Sequence, residues 1–500
     1  MSIMGFTETE PGYWLLAGVL GLLVAWLVKH LITGPKNLPP GPTGLPLLGV
    51  AWQIYKGGSD PLALFAAWSK KYGEMVSFFV GPKPIIILNS YPVIFEAFRH
   101  PDLQDRLGSR LLQEIIGLKN SGIAFSNGDV WKEQRKFTHS VFRSLGVGKK
   151  SYEDTVSAEM TQLSSVIKEK KGSPFDPSTL FMQAVSNIIC SIVFGTQYTY
   201  DDEAFKEILH LVNSNVQLSG GGGTFLFLPI PGISKIPFGK MKLMTNNIRS
   251  VNAFIQSQIE SHEKNRDPDN QRDFIDQYLY KLDETKDTVS SFTKLNLTGC
   301  IADLFLAGSD TTTTTLKWCI LFMMANPQVQ SRVQDELDHV VGRERIPRLD
   351  DIKDLPYTNA VILEVQRKGV VVPLGVPHVA AADTTIRGYT IPKGAVIVSN
   401  IFEVLNSEEL WKDSGAFKPE RFLTADGELI KRDELIFFST GRRVCIGEQL
   451  ARMETFLGFT SLLQRFTFRK PDNSPTLSFE GVLGISRNPV PYMTCAVVRE

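Results

Sequence analysis

The chain has no surplus charge of either sign: 53 basic and 53 acidic side chains cancel over 500 residues. Nucleic-acid binding needs a basic field, and nothing in this balance points that way. Cysteine is scarce too. Cys190, Cys300, Cys319, Cys445 and Cys495 are odd in number and widely spaced, which argues against a disulfide framework and for a reducing compartment. The Cys-x-x-Cys spacing of zinc sites is missing. What is plentiful is apolar content, 43%, enough to bury a large core in one or several domains.

Pro11 to Val28 carries no charge over eighteen residues, near the lower limit for crossing a hydrocarbon core. It reads as a transmembrane helix. Glu8 and Glu10 precede it while Lys29, His30 and Lys36 follow, so the positive-inside bias puts the rest of the chain in the cytosol. A cleaved signal peptide is the rival, but a basic n-region and a small-residue cleavage site are lacking. Leu38-Pro39-Pro40-Gly41-Pro42 has too few N–H donors for regular structure and predicts a stiff spacer. The expected organisation is an anchor over 1–28, a proline-rich hinge over 29–50 and one large body over 51–500.

Helical spacing recurs over 60–73, 152–171, 176–194, 203–218 and 240–264, and strands are expected over 76–80 and 84–89 and again in short pieces over 477–498. Asp129 to Phe137 predicts a helix with Trp131 and Arg135 four apart on one face. Glu364 and Arg367 stand three apart on another; taken alone, both pairs read equally as ordinary surface contacts. The longest helix runs from Thr293 to Asn326, where Pro327 stops it, and spans about 50 Å. Inside it Ala307-Gly308-Ser309-Asp310 leads into five threonines, Thr311 to Thr315. Glycine and β-branched residues are poor mid-helix. They predict a local opening of the hydrogen-bond ladder, whose freed carbonyls and Thr311 hydroxyl can hold water beside Asp310. A plain helix-packing groove is the alternative.

Phe438-Ser-Thr-Gly441-Arg-Arg443-Val-Cys445-Ile-Gly447 delivers one thiol from a loop rich in glycine and arginine into a helix-like run, Glu448 to Phe459. Two glycines let the backbone bend and approach a flat partner closely. The helix start favours a thiolate, and Arg443 suits an anionic group on the partner. Cys445 is thus set up to bind a metal; a buried structural thiol is the alternative.

This run, continued by Glu448-Gln-Leu-Ala-Arg452, resembles the cysteine loop of the haem-thiolate monooxygenases, the cytochrome P-450 superfamily. Ala307 to Thr311 is similar to the family's oxygen-activation element, which implies room there for a diatomic ligand, with protons resupplied by Asp310. Trp131-x-x-x-Arg135, Glu364-x-x-Arg367 and Pro419-Glu-Arg421-Phe422 match further elements, in the order of the microsomal branch, closest to family two. The resemblance implies a mainly α fold with small β-sheets (α+β) and a long central helix over a buried haem. It implies haem b held through iron by Cys445 and contacted by Trp131, Arg135, Ala307, His378, Phe438, Arg443 and Gly447, with Arg106 and Arg110 as weaker candidates. Asp310 and Thr311 would be catalytic, relaying protons to O2. Glu364, Arg367 and Arg421 would form a structural network behind the cysteine loop.

The implied activity is insertion of one oxygen atom of O2 into a C–H bond, by hydroxylation or epoxidation, with electrons from NADPH through a membrane-bound reductase. Cytochrome b5 is a further implied partner, and the endoplasmic reticulum membrane the implied location. Phe125, Ala302, Asp303, Phe305, Leu306, Leu374 and Val482 are the expected substrate pocket. They are mostly apolar, which suits fatty acids, steroids and xenobiotics equally; Asp303 would bind a polar substrate group or pair with a neighbouring helix. Phe225 to Ile230, behind the break Gly220 to Gly223, would roof the pocket, touch the bilayer or form a tight loop. Rival activities are a haem-thiolate isomerase or dehydratase acting on a peroxide, disfavoured by the intact Asp310–Thr311 pair, and a noncatalytic haem sensor. Three positions depart from the family pattern: Phe437 replaces a usual proline, Asn406-Ser407-Glu408 a usual His-Asp-Pro, and Lys368 a usual apolar residue.

Overall fold

The computed structural model describes residues 35–45, 49–56, 61–80, 83–108, 110–219, 239–267 and 270–499, with scattered helical positions between 15 and 25 and residue 235. The anchor expected over 11–28 lies largely outside these residues, and Gly220 to Ile230 lies wholly outside them. Among the described residues no helix is long and apolar enough to cross a membrane.

The fold is mainly helical with small sheets. The apolar-periodic segments become helices Pro61–Tyr72, Gly128–Ser144, Lys150–Glu169, Ser178–Val193, Glu203–Leu218 and Gly239–Asn265. β-Branched and aromatic runs become strands Met75–Val80 and Lys83–Leu88, paired antiparallel from Met75–Leu88 to Val80–Lys83. Lys83–Leu88 then pairs in parallel with Val396–Ser399, which is followed by His378–Val379 and Asp105–Arg106 to complete five strands. The proline-rich stretch does not hang free. Ser77 N–H donates to Pro40 O at 3.0 Å, and a Cβ on Gly41 would lie 1.7 Å from Ser77 O, so the hinge docks on the sheet where only glycine fits.

The central helix, Lys294–Ala325, is capped by Thr293, whose hydroxyl accepts from Asn296 N–H at 3.1 Å. Asn326 breaks it with φ −128° and ψ 70° before Pro327 opens the next helix. Its 32 residues span about 48 Å. Residues on every face are buried, from Asn296 to Met324, as expected of a helix surrounded by others.

The expected opening of its ladder is not present: the helix runs unbroken through the threonines. Instead the hydroxyls of Thr311, Thr313 and Thr315 donate to the carbonyls of Ala307, Ser309 and Thr311 at 2.8, 2.6 and 2.9 Å. Back-bonding satisfies those hydroxyls locally, and burial outweighs the modest propensity deficit. Gly308 answers to packing, since a Cβ there would stand 2.4 Å from Ile189 Cδ1 on helix Ser178–Val193.

Candidate functional site

The cysteine loop is a tight turn built from its own backbone. Cys445 N–H donates to Phe438 O at 3.0 Å and Ser439 N–H to Ile436 O at 2.8 Å, with φ of +66° at Ser439 and +78° at Gly441. Gly441 has no room for a side chain, because a Cβ would lie 2.0 Å from Phe98 O. Gly447 is under no such pressure: its Cβ would only touch Cys445 Sγ at 4.0 Å. It serves as N-cap of helix Glu448–Arg465.

The Cys445 thiol opens onto an internal cavity of about 310 Å³. Burial pushes its pKa up, and the Gly447 backbone hydrogen bond and the Arg135 charge oppose this only in part. The helix-start donors expected to favour a thiolate are therefore outweighed by desolvation, and a cation at the sulfur would reverse that balance. Ala307, Gly308, Thr311, Thr312 and Thr315 of the central helix line the same cavity, with Phe438 and Gly447.

Three guanidiniums face this space: Arg106, Arg135 and Arg443. Their hydrogen bonds go almost wholly to backbone carbonyls. Arg443 donates to Gln104 O at 2.9 Å, Ser126 O at 2.8 Å and Asn127 Oδ1 at 3.3 Å. Arg135 donates to Val444 O at 2.6 Å, and Arg106 to Val376 O and to Pro377 O. Burial, with repulsion from its two neighbours, pulls Arg106 down to about 9; burial also pulls Arg443 down to about 10, against the opposing charge of Asp105.

Beside them Arg106 Nε, Trp131 Nε1 and His378 Nε2 are buried with no partner. Trp131 lies under the Arg443 guanidinium, 3.9 Å from ring centre to carbon. His378 stacks on Phe98 at 3.8 Å and its Nδ1–H donates to Leu103 O at 2.6 Å. It stays neutral because burial and the Arg106 charge push its pKa far down. Buried cations without ion-pair partners and orphaned ring nitrogens are costly alone. They fit a cofactor that brings its own carboxylates.

In the expected network, Arg367 forks onto Glu364, Nε to Oε2 at 2.8 Å and an NH2 nitrogen to Oε1 at 2.9 Å, both side chains fully buried. Arg421 Nε reaches Glu364 at 3.1 Å, and Lys418 N–H donates to it at 2.9 Å. Arg367 also donates to Leu405 O and Ser414 O at 2.8 and 3.0 Å. Lys368, unusual for its apolar position, donates to Ser414 O and Gly415 O at 3.2 and 3.0 Å. Phe437 lines the cavity and packs on Phe438 at 4.8 Å, with the Arg452 guanidinium over both rings.

The structure separates the expected pocket residues. Asp303 lines the cavity, but its Oδ2 accepts from Ile123 N–H and Ala124 N–H at 2.7 and 2.8 Å; it ties down the loop before Gly128 rather than a helix, and burial pushes it up to about 6. Phe305 is buried between Phe194 and Phe254, at 5.9 and 6.4 Å. Leu374 sits in the core under the N-terminal sheet, and Val482 is exposed on a hairpin. Phe125, Ala302 and Leu306 are likewise off the wall, where Ile189, Ile192, Val193, Leu304, Val371 and Val372 stand instead.

Asp310 is also off the wall, buried beside Ser486. Glu454, not foreseen, is on it: burial raises its pKa to about 8 against a hydrogen bond from Thr312, and Oε1 has no partner. The only signal was an acid inside the apolar run Met453 to Leu463.

The family model described as Cytochrome P450 matches residues 39–496. Cytochrome P450 2J2 of Homo sapiens is 40% identical over 493 residues, covering 98% of this chain and 96% of that protein. Cytochrome P450 2J5 of Mus musculus is 38% identical over 467 residues, 93% and 92% of the two chains; Cytochrome P450 2U1 of Homo sapiens is 36% identical over 518, covering 98% and 94%. With a lone cysteine and three anion-seeking arginines around one cavity, and likeness over nearly the whole chain, this protein belongs to the cytochrome P450 family and is a haem-iron monooxygenase.

Proposed function

We propose that the protein hydroxylates or epoxidises a lipophilic substrate of the fatty acid, steroid or xenobiotic kind, taking electrons from NADPH through a membrane-bound reductase, with cytochrome b5 as a second donor. The observation that carries the chemistry is Cys445 on the wall of a mostly apolar cavity whose lining includes Ala307, Gly308 and Thr311. Haem b, when bound, supplies the iron that takes the cysteine sulfur and activates O2.

The chain's own residues do the rest. Arg106, Arg135, Arg443 and Trp131 would hold the carboxylates of the haem; His378, neutral and with Nδ1–H committed to Leu103 O, would join them only on taking a proton at Nε2. Gly308 lets Ile189 close onto the central helix at the cavity wall. The Thr311 hydroxyl, on the cavity wall, would hold a proton for delivery into the cavity, with Asp310 to resupply it. Apolar side chains from Ile189 to Val193 and Val371 to Val372 exclude water and orient the substrate. Residues 1–28 anchor the body, 51–500, to the endoplasmic reticulum membrane through the hinge, 29–50, with the catalytic domain in the cytosol.

The test is the absorption spectrum of the reduced, carbon monoxide-bound protein, wild type and Cys445→Ala. A Soret band strongly red-shifted from that of histidine-ligated haem, and lost in the variant, is expected. An unshifted band, or one that survives the substitution, removes Cys445 as ligand. Substrate-dependent NADPH consumption with purified reductase then separates an enzyme from a noncatalytic haem sensor or a peroxide isomerase.

A further inference from the structure

Asp310 faces away from the main cavity, toward a bridge of polar side chains. Ser486 hydrogen-bonds its carboxyl. Asn488 Nδ2–H in turn donates to Ser486 Oγ at 2.9 Å. On its other side Asn488 Oδ1 accepts from Lys317 Nζ at 3.0 Å and from Thr314 Oγ1 at 2.9 Å. Lys317 lies seven residues after Asp310, two turns along nearly the same helix face, and helical side chains lean toward the N-terminus, so its ammonium reaches back toward the acid.

A second cavity of about 110 Å³ opens beside this bridge, lined by Ser178, Lys206, His210, Asn213, Lys317 and Asn488 among others. Met182 and Leu209 share its wall, but its polar groups and size suffice for several waters. Lys317 and Asn488 stand on its wall, Thr311 lines the main cavity, and Asp310 stands on neither wall but is reached through Ser486.

We propose that Lys317 is a positioning residue for Asp310: its ammonium anchors the Asn488–Ser486 bridge to the carboxyl, its charge stabilises the carboxylate left after proton donation, and the small cavity, on whose wall Lys317 and Asn488 stand, hydrates the far end of that bridge on a side separate from the substrate. This rests on the Asp310–Thr311 proton role above. The balance is simple. Asp310 gives up one proton toward Thr311, the carboxylate is held by the Ser486 hydroxyl and the nearby cation, and a solvent proton returns through the Ser486 hydroxyl, which passes its own proton to the carboxylate and takes one from water.

The charges facing this acid support the assignment. Burial raises Asp310 and lowers Lys317, and each opposes the other's shift. Across the cavity stand Lys206, itself paired with Glu203 at 2.8 Å, and His210. Asp176 acts on Lys317, while Tyr492 donates to the Lys317 carbonyl at 2.7 Å.

The experiment titrates Asp310 in the resting, haem-loaded, full-length protein by infrared difference spectroscopy, following the protonated carboxyl band that Asp310→Asn deletes. Lys317→Met is expected to raise its midpoint by about one pH unit, a tenfold change in the ionisation constant. Lys317→Arg should leave it within a few tenths. A midpoint unmoved in Lys317→Met overturns the proposal. Should that variant fail to retain haem, Lys317→Gln, which keeps the bond to Asn488 without the charge, is read in the same way. The fraction of NADPH electrons lost to hydrogen peroxide in Asp310→Asn is measured alongside. A wild-type fraction there sinks the Asp310 proton role itself, whatever Lys317 does to the midpoint.

Discussion

Replacing Arg367 by alanine tests whether the buried network holds the cysteine loop. Glu364 and Arg367 are both fully buried, and Arg367 divides its donors between both carboxylate oxygens and the carbonyls of Leu405, Ser414 and Ala416. The alanine leaves Glu364 with Arg421 and the Lys418 N–H, and takes a donor from three carbonyls. Leaving a buried charge with no partner costs about 3–5 kcal/mol; Arg421 and the Lys418 N–H, kept on Glu364, hold the loss toward the lower figure, and the excised side chain leaves a cavity that adds to it. The folded population should fall roughly 10²–10⁴-fold relative to the unfolded. Urea unfolding, followed by tryptophan fluorescence and by loss of the red-shifted carbon monoxide band, reads the change. Arg367→Lys keeps the charge but not the fork, and should fall between wild type and alanine. A stability within about 1 kcal/mol of wild type for the alanine variant, with the full spectral band, would refute the reasoning, since surface pairs are worth no more than that.

Gly441→Ala puts a methyl 2.0 Å from Phe98 O at a backbone φ of +78°, so haem per polypeptide should drop several-fold; unchanged haem content would show that the loop tolerates a shift. Burial raises Glu454 to about 8 from 4.5, so its protonated form contributes stability that is complete below pH 4.5 and lost as pH rises through about 8. Glu454→Gln should remove a slope of about 1.4 kcal/mol per pH unit over that window, checked by unfolding at pH 5 and pH 8. At the junction of helices Gly239–Asn265 and Phe274–Glu284, His262 Nε2 lies 3.0 Å from Asp273. Burial alone would lower this imidazole, but Asp273 and the Gln258 carbonyl outweigh it and raise its pKa above 6.5. Its contribution is therefore full below pH 6.5 and lost as pH rises through the folded value, so the melting-temperature advantage of wild type over His262→Gln should shrink between pH 6 and pH 9.

Local chemistry made much of this chain legible in one dimension. Helices followed apolar periodicity: the longest one starts at Thr293 and ends at Asn326, before Pro327, as expected, and the strands expected over 76–80 and 84–89 are present. The Glu364–Arg367 spacing was visible as well; its burial was implied only by the family resemblance, because it depends on segments 405–421 folding over it.

The sequence by itself determined the family, the cysteine and the helix bearing Thr311, because each is carried by contiguous residues whose spacing survives in any fold that uses them. Tertiary structure alone decided which atoms face the cavity. It turned Asp310 toward Ser486 and Lys317, brought Arg106 and Glu454 to the wall, and moved Phe305 and Leu374 into the core. The physical reason is that a side chain's exposure is set by what packs on it from distant parts of the chain. Burial then sets its charge, and no window of sequence contains that neighbour.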